Sequence, residues 1–260
     1  MMSPSCLNTI TLISARPKDF RFFPQIISIL NLNYQIHNSS KKKFPAEHYL
    51  LIIGSHGSNW SGLIEDKTSR HYMPLAQFGS AVENENIDLV LFDTCRMAFL
   101  ESLMTLDNKI PLMLASPFDV NGFDHIRPLE VLIENPLLPV SELGSLYVNN
   151  YLLKPENAGS KEMMASFLKT NNSNFLVDDF EKFAARLNQK SSYELHLLKN
   201  NLLISENEEQ DWDIDLFGLI ESARQLFPDL LLESQIFKMN YQSVLMEVAR
   251  TSISLPHSGP

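Results

Sequence analysis

Short apolar runs alternate with stretches of helical spacing along the first half of the chain. Ile10–Ile13, Tyr49–Ile53, Ile87–Phe92, Pro111–Ala115 and, more weakly, Ser252–Leu255 read as strands. Nearly continuous apolar character over so few residues suits parallel strands buried on both faces of a covered sheet. Between them, Pro24–Leu30, Leu75–Val82, Met97–Leu106 and Ile126–Ile133 carry apolar residues at helical spacing. Strand and helix in alternation predict an α/β fold, with a mostly parallel central sheet flanked by helices.

The pattern changes further along. Val140–Leu152, Phe175–Leu187, Tyr193–Leu203, Ile214–Leu226 and Leu230–Val248 all have amphipathic helical spacing. Asn- and Ser-rich punctuation separates some of them, as at Lys169-Thr170-Asn171-Asn172-Ser173-Asn174. The expected organisation is an N-terminal strand and helix region over 1–43, a core over 44–135, and an added helical portion over 136–260 that ends in a closing strand. The Asn38–Lys43 segment reads as a solvated loop.

Composition narrows the function classes. With 44% apolar and 20% charged residues, the chain of 260 residues builds a core without staples. A formal net charge of −10 argues against nucleic acid, whose binding rests on neutralising phosphates with Lys and Arg. It suits a basic substrate better. With only two cysteines, Cys6 and Cys95, far apart in sequence, the usage is too sparse to suggest a disulfide framework. No apolar run reaches the length of a membrane span, and the N-terminus lacks the pattern of a Sec signal peptide. A cytoplasmic protein, or one exported by a signal-independent route, is the expectation.

Two strand ends carry the chemistry. The run Tyr49–Ile53 is followed by Gly54-Ser55-His56-Gly57-Ser58, which puts a histidine where open α/β sheets bind ligands. Gly57 beside it leaves its N–H accessible to an oxyanion. The next strand runs into Asp93-Thr94-Cys95-Arg96-Met97, with a helix expected from about Met97. A thiol at that helix N-terminus would be shifted towards thiolate. Separately, a loop histidine and a cysteine after a strand are ordinary. Together, 39 residues apart (95 − 56) with room for one crossover, they form the pair a cysteine nucleophile and its base require.

The segment Phe44–Trp60 resembles the histidine segment of the clostripain family of cysteine peptidases. Leu91-Phe92-Asp93-Thr94-Cys95-Arg96-Met97, with Glu101 four residues on, resembles that family's Asp-x-Cys-x-Met nucleophile segment. Leu114-Ala115-Ser116-Pro117 through Gly122-Phe123-Asp124, Leu129–Tyr151, Asp215-Leu216 and Ser252–Pro256 are similar to further family segments, in the same order. The likeness spans roughly residues 44–256. It implies a caspase-like fold and an endopeptidase that cleaves after Arg or Lys through a Cys-His dyad. Cys95 is then the nucleophile, His56 the proton carrier, and the N–H groups of Gly57 and Cys95 the oxyanion hole. A substrate pocket follows from Asp93, with Asp119 or Asp124 as a second carboxylate and Ser116 on the wall. Capping of the following helix is the other reading of Asp93.

The first third departs from the family pattern, and Arg96 stands beside the expected basic-residue pocket. Those departures keep a second reading open, a catalytically silent, protein-binding module on the same scaffold. Lys67 and Arg70 offer sites for self-cleavage between His56 and Cys95. Asp211-Trp212-Asp213-Ile214-Asp215 lacks the Gly and Glu of a calcium loop, and the remaining histidines show no metal-ligand spacing, so no cofactor or metal is expected. The expected partner is a peptide or protein with a basic P1 residue, not nucleic acid or membrane.

Overall fold

The computed structural model describes residues 9–15, 21–25, 41–42, 45–57, 62–66, 71–120, 122–151, 153, 164–170, 174–201, 204–206, 212–214, 216–230, 236 and 245–250. Two compact units are present: Met1–Asn172 with Leu245–Pro260, and Ser173–Val244.

Seven strands build the sheet of the first unit. They are β1 (Thr9–Ala15), β2 (Arg21–Gln25), β3 (His48–Gly54), β6 (Leu89–Asp93), β7 (Leu112–Ala115), β8 (Met164–Lys169) and β11 (Leu245–Arg250), in the order β11-β8-β7-β6-β3-β1-β2. A separate small hairpin joins β4 (Leu63–Asp66) to β5 (His71–Met73). The central strands β3, β6 and β7 are mutually parallel, and every outer pairing is antiparallel. Five of the seven strands point the same way, so the sheet is mixed but mostly parallel in sense.

Side-chain alternation explains why Tyr49–Ile53, Leu89–Phe92 and Leu112–Ala115 are apolar at every position. Tyr49, Leu51 and Ile53 of β3, Val90 and Phe92 of β6, and Met113 and Ala115 of β7 enter one core. Leu50 and Ile52, Leu89 and Leu91, and Leu114 enter a second core on the opposite face. Helices α1 (Leu75–Val82) and α2 (Leu100–Leu106) cover the first face through Leu75, Phe78, Val82, Leu103 and Leu106. Helices α3 (Ile126–Glu134) and α4 (Val140–Tyr151) cover the second through Leu132, Leu143, Tyr147, Val148 and Tyr151. The covering helices thus change face after β7.

A carboxylate fixes the register of β3 and β6. Asp88 Oδ2 accepts the Tyr49 N–H at 2.7 Å, while the Asp88 N–H donates to the Tyr49 carbonyl at 3.0 Å. Leu50 then pairs with Leu89, and Gly54 with Asp93. At the far side, Thr170 ties the end of β8 back to the start of β7, its N–H bonding Pro111 O at 3.0 Å and its hydroxyl bonding Ile110 O.

The second unit holds α5 (Asn174–Leu187), α6 (Ser192–Asn201), the hairpin of β9 (Ile204–Glu206) and β10 (Trp212–Ile214), α7 (Leu216–Leu226) and a 3₁₀ turn at Pro228–Leu230. Leu176, Phe183, Leu198, Ile220, Ala223, Phe227 and Leu230 are buried there. Helix α6 opens on a capping box: Glu194 Oε2 accepts the Ser191 N–H at 2.8 Å, and the Ser191 hydroxyl accepts the Glu194 N–H at 3.3 Å.

Several expectations need correction. β1 pairs antiparallel to β3, not parallel. Pro24 and Gln25 belong to β2, not to a helix, and Ile214 lies in β10, ahead of α7. The helix expected over Leu230–Val248 cannot be continuous, because Leu245–Val248 pair with β8 as a strand. β8 itself was not anticipated. The closing strand at Ser252–Leu255, and Lys67 and Arg70, lie outside the described residues.

Candidate functional site

Strand register brings the two expected catalytic residues to one level. Gly54 and Asp93 are the last pair of β3 and β6, and their offset (93 − 54 = 39) is also the separation of His56 and Cys95. Each residue therefore stands two positions past the same rung of the sheet. The ladder continues one bond further, from the Ser55 N–H to Asp93 O at 3.4 Å. His56 is exposed, and its carbonyl accepts the Ile64 N–H of β4 at 3.2 Å.

Gly57 is where the two loops meet. A Cβ at this position would lie 2.3 Å from the Cys95 carbonyl oxygen, 3.1 Å from Thr94 Oγ1 and 3.2 Å from Met97 Sδ. Only glycine permits that approach, since the nearest atom is backbone.

The loop after β6 is stitched to the loop after β7. Arg96 takes a left-handed conformation (φ 52°), and its N–H donates to Phe118 O at 3.1 Å. The N–H groups of Met97 and Ala98 both donate to Ser116 O, at 2.8 and 3.0 Å. Phe99, at the N-cap position, is extended (φ −114°, ψ 161°), so α2 begins at Leu100 and not near Met97. Cys95 is thus removed from the helix N-terminus, and the expected lowering of its thiol pKa fails. Burial pushes the Cys95 thiol up instead. A hydrogen bond from the Val120 N–H opposes this, the Asp119 carboxylate adds to it, and the Arg96 guanidinium opposes it.

Asp93 ends β6 on the α3/α4 face. Its Oδ1 accepts the Phe123 N–H at 2.9 Å, and its Oδ2 lies 2.9 Å from His125 Nε2. Neither oxygen caps α2, whose N-cap position is Phe99 with no side-chain cap bond. Helix capping is therefore not the role of Asp93. The imidazole of His125 meets the Tyr147 ring edge-on at 5.7 Å. Burial pushes the hydroxyls of both neighbouring tyrosines up, Tyr151 to about 12, with the charge of Asp93 adding to each; a hydrogen bond with Ser116 draws Tyr151 part of the way back.

The other expected pocket residues have partners of their own. Asp119 receives Arg96 Nε at 2.9 Å, and Asp124 Oδ1 accepts the Ile126 N–H at 2.9 Å at the start of α3. Ser116 is wholly buried, its Oγ accepting the Phe118 N–H at 3.0 Å. His56, Gly57, Cys95 and Asp93 therefore cluster at the carboxyl ends of β3 and β6. Ser116, Asp119 and Asp124 shape the neighbouring loop. Sequence reasoning missed His125 and Tyr147, because each meets Asp93 only through the fold. Among the described residues no cluster of His, Cys, Asp and Glu fits a metal ion. No helix among them is long and apolar enough to cross a membrane.

Comparison with known proteins places this arrangement. Solved structures share the fold at low identity. A secreted C11 cysteine protease from Bacteroides thetaiotaomicron, in complex with an irreversible peptide inhibitor, is 18% identical, with a TM-score of 0.59 over 93% of this chain and 71% of that one. An inactive zymogen C11 protease from Parabacteroides distasonis is also 18% identical, with a TM-score of 0.56 over 96% and 72%. A further secreted C11 cysteine protease from B. thetaiotaomicron, iotapain, reaches a TM-score of 0.69 at 13% identity over 94% and 73%. No curated protein matches significantly. The model of the clostripain family, peptidase C11, matches residues 30–253. With most of its length matched, and with a caspase-like α/β sheet beneath the site, the chain belongs to the clostripain family of cysteine peptidases, hydrolases that act on peptides or proteins.

Proposed function

We propose that this peptidase cleaves internal peptide bonds after Arg or Lys, with Cys95 as nucleophile and His56 as proton carrier. The observation that carries the reading is the common level of His56 and Cys95 past the Gly54–Asp93 rung, with Gly57 packed against the Cys95 carbonyl. A nucleophile and its base just past the ends of two adjacent strands, held in register by the partly exposed Asp88 carboxylate, need no third catalytic side chain to be positioned.

In this scheme Cys95 Sγ bonds to the scissile carbonyl carbon and its proton passes to His56. The N–H groups of Gly57 and Cys95 receive the oxyanion. His56 gives its proton to the departing nitrogen as the C–N bond breaks, leaving a thioester. Water then adds to that thioester, its proton returning through His56 to sulfur, and the acid product leaves. Burial favours the neutral thiol of Cys95 in the free site.

Asp93 supplies the basic preference. It lies two residues before the nucleophile, on the α3/α4 face, as an anion for a P1 ammonium or guanidinium. The test uses fluorogenic peptides with Arg, Lys or Asp at P1, with wild type, Cys95→Ala and His56→Ala. Release from Arg or Lys peptides, lost in both variants, is expected. Asp93→Asn should lower kcat/KM on basic substrates by about 10- to 100-fold, mainly through KM. Cleavage confined to Asp peptides overturns the specificity. Silence across a broad peptide library leaves the protein-binding module as the better account.

A further inference from the structure

We propose that His125 sets the choice between the two basic residues, making this chain a Lys-preferring enzyme by taking one oxygen of Asp93. The inference rests on the reading of Asp93 as the P1 anchor and adds a residue that reading does not contain.

Both oxygens of Asp93 are engaged by the protein. Phe123 N–H holds Oδ1 and His125 Nε2 holds Oδ2, each at 2.9 Å. A carboxylate oxygen accepts in more than one direction, so the anion can still bind a cation. The two basic side chains make different demands on it. An arginine fork needs acceptor sites on both oxygens, on one side of the carboxylate and in its plane. A lysine ammonium is a compact charge that is satisfied by a single site. An imidazole seated on Oδ2 narrows the fork's access and leaves the single site open.

The imidazole is held by its bond to Asp93 and by packing against Tyr147. Its Nδ1 is buried without a hydrogen-bond partner among the described residues, and the Tyr147 ring closes on it edge-on at 5.7 Å. Below it, the His125 carbonyl accepts the Leu129 N–H at 3.3 Å as the first bond of α3, and Asp124 Oδ1 holds the next amide, Ile126 N–H. The Asp93 side chain keeps 17% exposure beside the 30% of His125, so the pair remains reachable from solvent. The Tyr147 hydroxyl, also buried without a partner among the described residues, lies on the same face and offers the P1 head group no competing anion.

The experiment compares kcat/KM for peptides that differ only in Lys or Arg at P1, in wild type, His125→Ala and His125→Gln. The ratio within one variant cancels differences in folding and in active fraction. Wild type should favour Lys by about five-fold, the worth of one hydrogen bond in competition. His125→Ala should bring the ratio to unity or below, chiefly through a fall in KM for Arg with kcat little changed. His125→Gln, which restores a donor to Oδ2, should recover the Lys preference. A wild type that prefers Arg, or a ratio that His125→Ala does not move, overturns the role of His125 while leaving the basic preference standing. Absence of Cys95-dependent cleavage of both peptides overturns the basic preference and this inference together.

Discussion

Replacing Gly57 by alanine tests the idea that catalysis depends on close approach of the two strand-end loops. The added Cβ would sit 2.3 Å from Cys95 O, whereas ordinary contacts begin at 3.4 Å. Relief therefore requires about 1 Å of separation between the loop that carries His56 and the loop that carries Cys95. The obstacle is a carbonyl, in a loop already stitched to Ser116 and Phe118, so a rotamer change cannot relieve it. Misplacement of about 1 Å in a reacting pair costs on the order of 100-fold in rate. Over-packing at such a position destabilises the fold by about 1–3 kcal/mol. The assay is kcat and KM on a P1-Lys or P1-Arg peptide, with active sites titrated by a thiol-directed peptide inhibitor and unfolding followed in urea. The expected result is a fall of roughly 100-fold in kcat, a small change in KM and a folded protein. Met97→Ala added to Gly57→Ala removes the Sδ contact but not the carbonyl clash, and should recover little. Activity of Gly57→Ala within two-fold of wild type would refute the reasoning.

Two further outcomes follow from the site and from the core beneath it. Because burial raises the Cys95 thiol, alkylation by iodoacetamide should rise with pH through a midpoint above that of an ordinary cysteine. Asp119→Asn should move that midpoint down by removing a neighbouring anion, and Arg96→Ala should move it up; a wild-type midpoint below the ordinary thiol value contradicts the assignment. Phe78 of α1 is fully buried and meets Phe92 of β6 in an edge-on pair with ring centroids 5.6 Å apart. Phe78→Ala should cost about 3–5 kcal/mol in urea unfolding, and a loss under 1 kcal/mol would place that face outside the core.

The central strands were legible because a sheet covered on both faces leaves no room for polar positions. Tyr49–Ile53 and Leu89–Phe92 are apolar at every residue, since alternate side chains enter different cores. Helices α1, α3 and α4 were legible for the same reason, each having one buried face. β8 escaped notice because Met164-Ala165-Ser166-Phe167-Leu168-Lys169 is short and mixed, and its strand character comes from pairing with β7 and β11. β11 was hidden inside an apparently helical run, where helical spacing and a buried strand share the same residues.

The site divides along the same line. The sequence by itself determined that a histidine and a cysteine each end an apolar strand, that a glycine and an aspartate accompany them, and which family such segments resemble. All of this is local, written in neighbouring residues along one stretch of chain. The tertiary structure alone decided that His56 and Cys95 share a level, because register is set by Asp88 on the Tyr49 backbone at the other end of the strands. It also decided that Cys95 lies outside the first turn of α2, which begins only at Leu100 after an extended Phe99. The partner of Asp93 is 32 residues away in sequence, at the head of a helix on the other side of β7. Such a contact is fixed by packing, and packing is the property that a pattern of neighbours along the chain does not contain.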